Sequence, residues 1–257
     1  MTELENDQVK STKVSIVTAC FNNVDTIRNT IESVNTQSYP NIEHVFVDGL
    51  SKDNTLSLIR ELSVRNKIVE SESDNGLYDA LNKGIRLATG DVIGFLHADD
   101  FYPSNDVVSK IAGAFNDPTV QAVYGDLEYV SKDNTDKVFR HWKAGLFTRA
   151  KLKRGWMPPH PTLYIRRDLY DRIGGFDTKY HIAADYDSIL KVFSTPGLVS
   201  VYIPEVLVKM RTGGASNRSL SNIIRKSRED LDALRRSKVG GILTLLAKNF
   251  RKVGQLL

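Results

Sequence analysis

The sequence predicts an α/β fold built on a mixed, mainly parallel sheet flanked by helices. Three observations predict it. From Lys13 to about residue 126, short β-rich runs alternate with helical patterns, the signature of βαβ units. No apolar run approaches the roughly 20 residues that a membrane-spanning helix needs. The 257 residues are 41% hydrophobic and 26% charged, as in an ordinary globular protein with one substantial core.

Each element follows from its periodicity. Val14–Thr18 reads as the first strand, and residues 26–36 as a helix with Ile27, Ile31 and Val34 on one face. Ile42–Val47 is a second strand, followed by a helix over Thr55–Leu62. Ile68–Glu70 is a short third strand, and Tyr78–Ala88 a helix that Gly90 terminates. Val92–Leu96 is wholly apolar, which predicts a central strand buried on both faces. A helix over Val107–Phe115 and a strand over Gln121–Tyr124 complete the regular part. Beyond it the spacing predicts a hairpin over 129–142 turning at 132–136, a strand over 162–165 and a helix over 185–193.

This organisation divides the chain into a polar tail (1–12), a catalytic domain (13–217) and a basic amphipathic tail (218–257). The domain divides again into a nucleotide-binding half (13–126) and an acceptor half (127–217). Residues 1–12 are expected to be flexible. They contain no hydrophobic signal-like stretch, so the chain is expected in the cytoplasm. Cys20 is the only cysteine, which excludes an internal disulfide and a cysteine-rich zinc site. The net charge of +4 is uneven. Residues 218–257 carry ten Lys/Arg against three acids, or +7, which leaves −3 for residues 1–217. With Ile242, Leu245, Leu246, Phe250 and Val253 near helical spacing, this tail reads either as a helix on the anionic inner face of a membrane or as one packed on the domain or in a dimer.

In open α/β sheets, ligands bind at the carboxyl ends of the strands. Here those ends are Ala19-Cys20-Phe21-Asn22, Asp48-Gly49, Asp74-Asn75-Gly76 and His97-Ala98-Asp99-Asp100, and three of the four carry Asp. Carboxylates on one rim repel each other unless a cation or hydrogen-bond donors satisfy them. Mg²⁺ or Mn²⁺, held by one or two carboxylates and a substrate's phosphates, meets that requirement. Neither G-x-G-x-x-G nor a P-loop is present.

The runs "VSIVTACFNN", "IEHVFVDGLSKDNT", "SDNGLYDALNKGIRLATGD", "IGFLHADD", "GGFD" and "AADYD" together resemble the family 2 glycosyltransferases of the GT-A (Rossmann-like) fold, bacterial polysaccharide and O-antigen type, over roughly residues 13–215. The resemblance implies an inverting transfer of sugar from a nucleotide diphosphate donor, with UDP favoured, to a hydroxyl of a saccharide or lipid-linked saccharide. It assigns Ala19, Phe21 and Asp48 to the nucleoside base, and Asp74 to a further base or ribose contact. Asp99 and Asp100 fall to the metal and diphosphate, and Asp185 to the general base. His160, in "MPPHPTLY", falls near the acceptor or diphosphate. Arg211, beside a Gly213-Gly214 pair that could close as a lid, falls in the same region. Two residues depart from the common pattern: His97 stands where a first Asp often sits, and Leu81 where an Arg often does. The processive-synthase signature Q-x-x-R-W is absent, which favours single addition.

Duller roles compete for these residues. Asp48 can be a turn former, Asp74 an Asx turn, and Asp99-Asp100 or Asp185 helix caps, with Asp187 the rival base. His160 can be a structural loop residue, and Tyr78, Phe95 and Trp142 packing residues. A nucleotidyltransferase is the rival enzyme class, although it lacks its basic glycine-rich loop here. The basic tail alone suggests a nucleic-acid binder, against which the −3 charge of the body weighs, so no nucleic-acid partner is expected.

Overall fold

The computed structural model describes residues 11–212 and 220–253. The amino-terminal residues 1–10 and the Gly213-Gly214 pair expected as a lid lie outside the described residues. Residues 11 and 12 are pinned to the domain by Asn41 Nδ2, which donates to Ser11 O, and by Tyr39 Oη, which donates to Thr12 O.

The first part alternates as its periodicity predicts. Strands β1 (Val14–Cys20), β2 (Ile42–Asp48), β3 (Asn66–Ser71) and β4 (Val92–Phe95) run parallel, interleaved with helices α1 (Ile27–Asn35), α2 (Thr55–Leu62) and α3 (Leu77–Leu87). β1, β2 and β4 are buried along their whole length because helices cover both faces of the sheet. Helix α4 (Val107–Ala114) then leads to β5 (Ala122–Val130) and β6 (Val138–Trp142), which form the expected hairpin.

The rest of the sheet is mixed. A short helix α5 (Arg149–Lys153) and a 3-10 turn at His160–Thr162 precede β7 (Tyr164–Arg166), which lies antiparallel between β4 and β5. Helices α6 (Arg167–Ile173) and α7 (Ala184–Ser194) follow, then β8 (Ser200–Arg211). The order is β3-β2-β1-β4-β7-β5-β6, with β8 parallel to β5 along its other edge. The sequence reading ended the fifth strand at Tyr124 and assigned no element to α5, α6 or β8. Pro204 and Glu205 interrupt the β pattern of 200–211. They sit where the register shifts between Gly125 and Asp126, so the chain continues as strand around a bulge.

The tail forms α8 (Leu220–Arg236) and α9 (Ile242–Val253). α8 packs on α7, and its Ala233 and Leu234 are fully buried in the same core as Phe95 and Tyr186. α9 packs on α8 and on the segment after α5. Gly155, at φ +75°, has no Cβ to collide with the Lys248 backbone nitrogen, which would lie 2.5 Å away. Lys248 forms a 2.7 Å ion pair with Asp230, both 3% exposed, and its ammonium lies 3.3 Å from the Tyr186 ring centroid. α8 is therefore a layer of the domain. The outer face of α9 is not: Ile242, Leu243, Leu246 and Phe250 are 57%, 83%, 47% and 73% exposed.

Candidate active site

The parallel strands bring their carboxyl ends to one rim, where two loops bind each other. The Asn22 N–H donates to Ser51 Oγ, and the Lys52 N–H to Asn22 Oδ1. The Asn23 N–H donates to Thr55 Oγ1. Asn22 adopts φ 55°, a conformation Asn tolerates better than bulkier residues. Phe21 is thereby presented at 59% exposure beside Gly49, while Ala19 is buried at the strand end. Asp74 comes from beyond β3 to the same place: a Cβ on Gly49 would lie 2.7 Å from Asp74 Oδ2 and 3.5 Å from Phe21 Cδ2. Asp74 Oδ1 also accepts the Gly76 N–H in an Asx turn. Phe21, Gly49 and Asp74 thus frame an open shelf with one aromatic face and one carboxylate.

Asp48 lies beneath this shelf. It is fully buried and accepts hydrogen bonds from Ser51 N and Oγ and from Ser71 Oγ at 2.7 Å. In this arrangement its oxygens order the loop.

At the end of β4, Asp99 and Asp100 differ sharply. Asp99 is half-exposed. Asp100 is fully buried; among the described residues it accepts only the Arg211 N–H at 3.3 Å and leaves Oδ2 unpartnered. Burial, reinforced by the neighbouring Asp99 charge, pushes the Asp100 carboxyl well above its ordinary range, against a weaker opposing pull from Arg211. Arg211, at the end of β8, is itself buried. Its guanidinium donates to Asp99 O and lies 4.9 Å from the Phe101 ring, so it clamps the turn. Leu81 is fully buried, and no phosphate contact comes from that position.

Asp185 lies in the first turn of α7 and is half-exposed. Its Oδ1 accepts the Tyr186 N–H at 2.7 Å and lies 3.3 Å from Tyr78 Oη, while Oδ2 takes no hydrogen bond among the described residues. Asp187 points the other way: it is buried and paired with Lys191 at 2.8 Å. Two histidines lie within electrostatic reach of Asp185, and one of them, His97, also of Asp99. His160 stacks on Phe95 with centroids 5.4 Å apart, lies 6.3 Å from the His97 ring, and meets Phe176 edge-on. Burial pushes His160 down to about 4 despite the opposing Asp185 charge. Burial likewise lowers His97, opposed by Asp99 and Asp185. Both rings are neutral near pH 7.

The sheet thus gathers Phe21, Asp74, Asp99 and Asp185 at one rim, and sets Asp48, Asp100, His160 and Arg211 behind them as buried supports. Sequence reasoning named His97 only as a departure and Tyr78 only as packing. Neither's place beside Asp185 has a local signal, because Tyr78 and Asp185 are 107 residues apart. The chemistry fits a divalent cation at one accessible carboxylate, Asp99, while Asp100 behind it is fully buried. Among the described residues no group of three or more His, Cys, Asp or Glu forms an all-protein metal cage. An ion there would draw its remaining ligands from substrate and water.

A mainly parallel sheet with an Asp turn at the end of β4 and a half-exposed carboxylate from the second half of the chain give the chain the GT-A fold. The chain belongs to glycosyl transferase family 2, whose sequence model matches residues 15–174. It is 32% identical over 209 residues to a PGL/p-HBAD biosynthesis glycosyltransferase of Mycobacterium bovis, covering 79% of this chain and 78% of that one. Its fold is similar to that of TarS 1–349 of S. aureus, with TM-score 0.70, 17% identity, and 93% and 72% of the two chains covered. It is also similar to the mannosyltransferase PcManGT of Pyrobaculum calidifontis in complex with GDP-Man and Mn²⁺, with TM-score 0.66, 20% identity, and 93% and 69% covered. The chain is accordingly a glycosyltransferase, which removes the nucleotidyltransferase and nucleic-acid-binder readings.

Proposed function

We propose that the protein transfers a sugar, with inversion, from a UDP-sugar to an acceptor hydroxyl, with Asp185 as general base and Asp99 as the protein ligand of Mn²⁺ or Mg²⁺. The observation that carries this reading is the asymmetry within each acidic pair. Asp99 and Asp185 are half-exposed on the same rim, whereas Asp100 and Asp187 are buried. A base must reach the acceptor proton, and a metal ligand must reach the diphosphate; only the exposed member of each pair can do so.

In this reading the base stacks against Phe21 and the ribose side faces Asp74, with Asp48 ordering the loop beneath. A divalent ion bound at Asp99 would supply charge compensation for the departing diphosphate. Asp185 Oδ2, free of hydrogen bonds among the described residues, takes the acceptor proton as the hydroxyl oxygen attacks the anomeric carbon and the bond to the diphosphate breaks. His97 and His160, held neutral, lie within electrostatic reach of Asp185 without adding charge, and Arg211 holds the Asp99 turn. The preference for UDP and Mn²⁺ is supported by solved structures of similar fold: TarS 1–349 with UDP, and glucosyl-3-phosphoglycerate synthase of Mycobacterium tuberculosis with Mn²⁺ and UDP.

A lipid-linked saccharide acceptor, in assembly of cell-surface polysaccharide, is supported by the outer face of α9. At 100° per residue, Ile242, Leu243, Leu246 and Phe250 share one exposed stripe; Arg251 on the same helix, and Arg149 and Lys153 of α5, supply exposed cations. The protein would then sit peripherally on the inner face of the membrane. No helix among the described residues is long and apolar enough to cross it.

The test is Asp185→Asn. UDP affinity in the presence of Mn²⁺ should persist while turnover falls by about 10²-fold or more, and NMR of the product should show inverted anomeric configuration. Near-normal turnover, or a retained configuration, refutes the assignment.

A further inference from the structure

Helix α7 carries Asp185 but has no side-chain cap of its own. Its N-cap position is Ala183, and the Tyr186 N–H in its first turn is taken by Asp185 Oδ1. The N–H groups of Ala183 and of the two residues before it find their acceptor on the tail. Glu229 of α8 accepts from His181 N at 3.2 Å through Oε1, and from Ile182 N at 2.8 Å and Ala183 N at 2.9 Å through Oε2. The opposite side of the same segment is held by α3, where Tyr78 Oη donates to Ile182 O at 2.7 Å. Ile182 is therefore fixed at both its N–H and its carbonyl, three residues before Asp185. One residue beyond Asp185, the Tyr186 ring is covered by Lys248 of α9, itself anchored to Asp230 of α8.

We infer that Glu229 is a positioning residue for catalysis: it caps α7 from the C-terminal helix and thereby sets where the Asp185 carboxylate stands. The physical reasons are two. Three N–H groups converging on one carboxylate make charge-assisted hydrogen bonds, which are shorter and stronger than neutral ones. A negative group at a helix N-terminus is also stabilised by the helix dipole. Without Glu229, three backbone donors lose their acceptor, and among the described residues the side-chain hydrogen bond left on residues 181–183 is that of Tyr78 to Ile182 O. A shift of about 1 Å in a reacting group can cost about 10²-fold in rate. The C-terminal region thus belongs to the active site's support and is more than a basic appendage.

This inference rests on Asp185 as the base, and the experiment separates the two. In full-length protein, UDP affinity with Mn²⁺ is measured by calorimetry, turnover as UDP release from the best substrate in a UDP-sugar panel, and order of residues 181–186 by hydrogen exchange. The variants are Glu229→Ala, Glu229→Asp, Asp185→Asn and the double Asp185→Asn/Glu229→Ala. UDP affinity should stay within about twofold throughout. Glu229→Ala should lose about tenfold or more in turnover and speed exchange at 181–186, with Glu229→Asp recovering part of both. Added to Asp185→Asn, Glu229→Ala should cost no more than about twofold further, because a base that is absent cannot be misplaced. Full turnover in Glu229→Ala beside a collapsed Asp185→Asn overturns the positioning role and leaves the base standing. Near-normal turnover in Asp185→Asn overturns the base. Losses that multiply in the double variant mean that Glu229 acts elsewhere, which also overturns the inference. If Glu229→Ala does not fold, Glu229→Gln, which keeps the side-chain volume, carries the same comparison.

Discussion

The shelf of Phe21, Gly49 and Asp74 is held by neighbouring turns and strands, whereas the Asp99 turn and the key carboxylate of the acceptor half are held from far along the chain. Asp48 is ordered by Ser51 three residues on and by Ser71 on the adjacent strand, and Asp74 by the N–H of Gly76. Asp185 is fixed instead by Tyr78 from α3 and, through residues 181–183, by Glu229 from α8. A nucleotide shelf can be written into strand ends and the turns after them, whereas an acceptor base on an uncapped helix needs distant elements to hold it. The Asp99 turn and the acceptor half should therefore be sensitive to changes far from their chemistry, and the shelf to changes within its own turns.

The largest effect expected inside the donor half is at the β4 turn. Asp99→Asn should lower transfer by about 10²- to 10³-fold and abolish the Mn²⁺ dependence of UDP binding. Asp100→Asn should cost far less, since Asn Oδ1 can still accept the Arg211 N–H and the carboxyl it replaces is buried and raised. Calorimetry of both variants decides it; equal losses would mean that the two carboxylates act together.

Next comes the long-range support of the acceptor half. Asp230→Ala strands Lys248 in a site where both partners are 3% exposed, and should destabilise the fold by about 3 kcal/mol. Urea unfolding measures it. Replacing the pair together, Asp230→Leu with Lys248→Met, should recover most of the loss, because an apolar pair of similar volume leaves no unpaired charge.

Acid should reach both halves. His44, fully buried in β2, is lowered by burial to about 3, and His160 to about 4. Unfolded histidines bind protons below about pH 6.5 while these do not, so stability falls as pH drops from about 6.5 towards 3. Glu43 adds a second fall at lower pH. Burial works against its ionised form, but hydrogen bonds from Lys13, Thr89 and Ser15 outweigh this and hold it at about 2. Its contribution is complete above about pH 4.5 and is lost as pH falls towards 2. His44→Phe should flatten the slope between pH 6.5 and 4.5 without removing the one below; an unchanged slope would exclude His44 as its source.

The smallest effect on the folded state is expected at α9. Leu243→Ser with Phe250→Ser, at two exposed positions, should change stability by no more than about 0.5 kcal/mol per site. The same pair should nevertheless weaken sedimentation with anionic liposomes. Undiminished sedimentation would remove the membrane face from the comparison.

Much of this was legible in the sequence, for reasons that differ by residue. Periodicity located β1 to β4 and α1 to α4, since strands buried on both faces read as apolar runs and the helices between them repeat at 3.6 residues. The rule that ligands gather at strand ends named Phe21, Asp74 and Asp99 before any family did. Residues 200–211 were not legible as a strand, because Pro204 breaks the pattern that the bulge then absorbs. Nor were the partners of Asp185, because a hydroxyl from residue 78 and a carboxylate from residue 229 have no common local pattern.

By itself the sequence determined the order of the elements, the rim on which the site lies and the acidic pairs from which the chemistry is drawn. Those depend on side-chain period and on turn residues, which are local properties. Only the tertiary structure decided which member of each pair faces the solvent. Asp99 and Asp100 are neighbours in the chain, yet the close of β8 buries one beneath Arg211 and leaves the other half-exposed. Asp185 and Asp187 are two residues apart on a helix, about 200° around it, and only the packing of α3 and α8 on α7 determines which side is the active site.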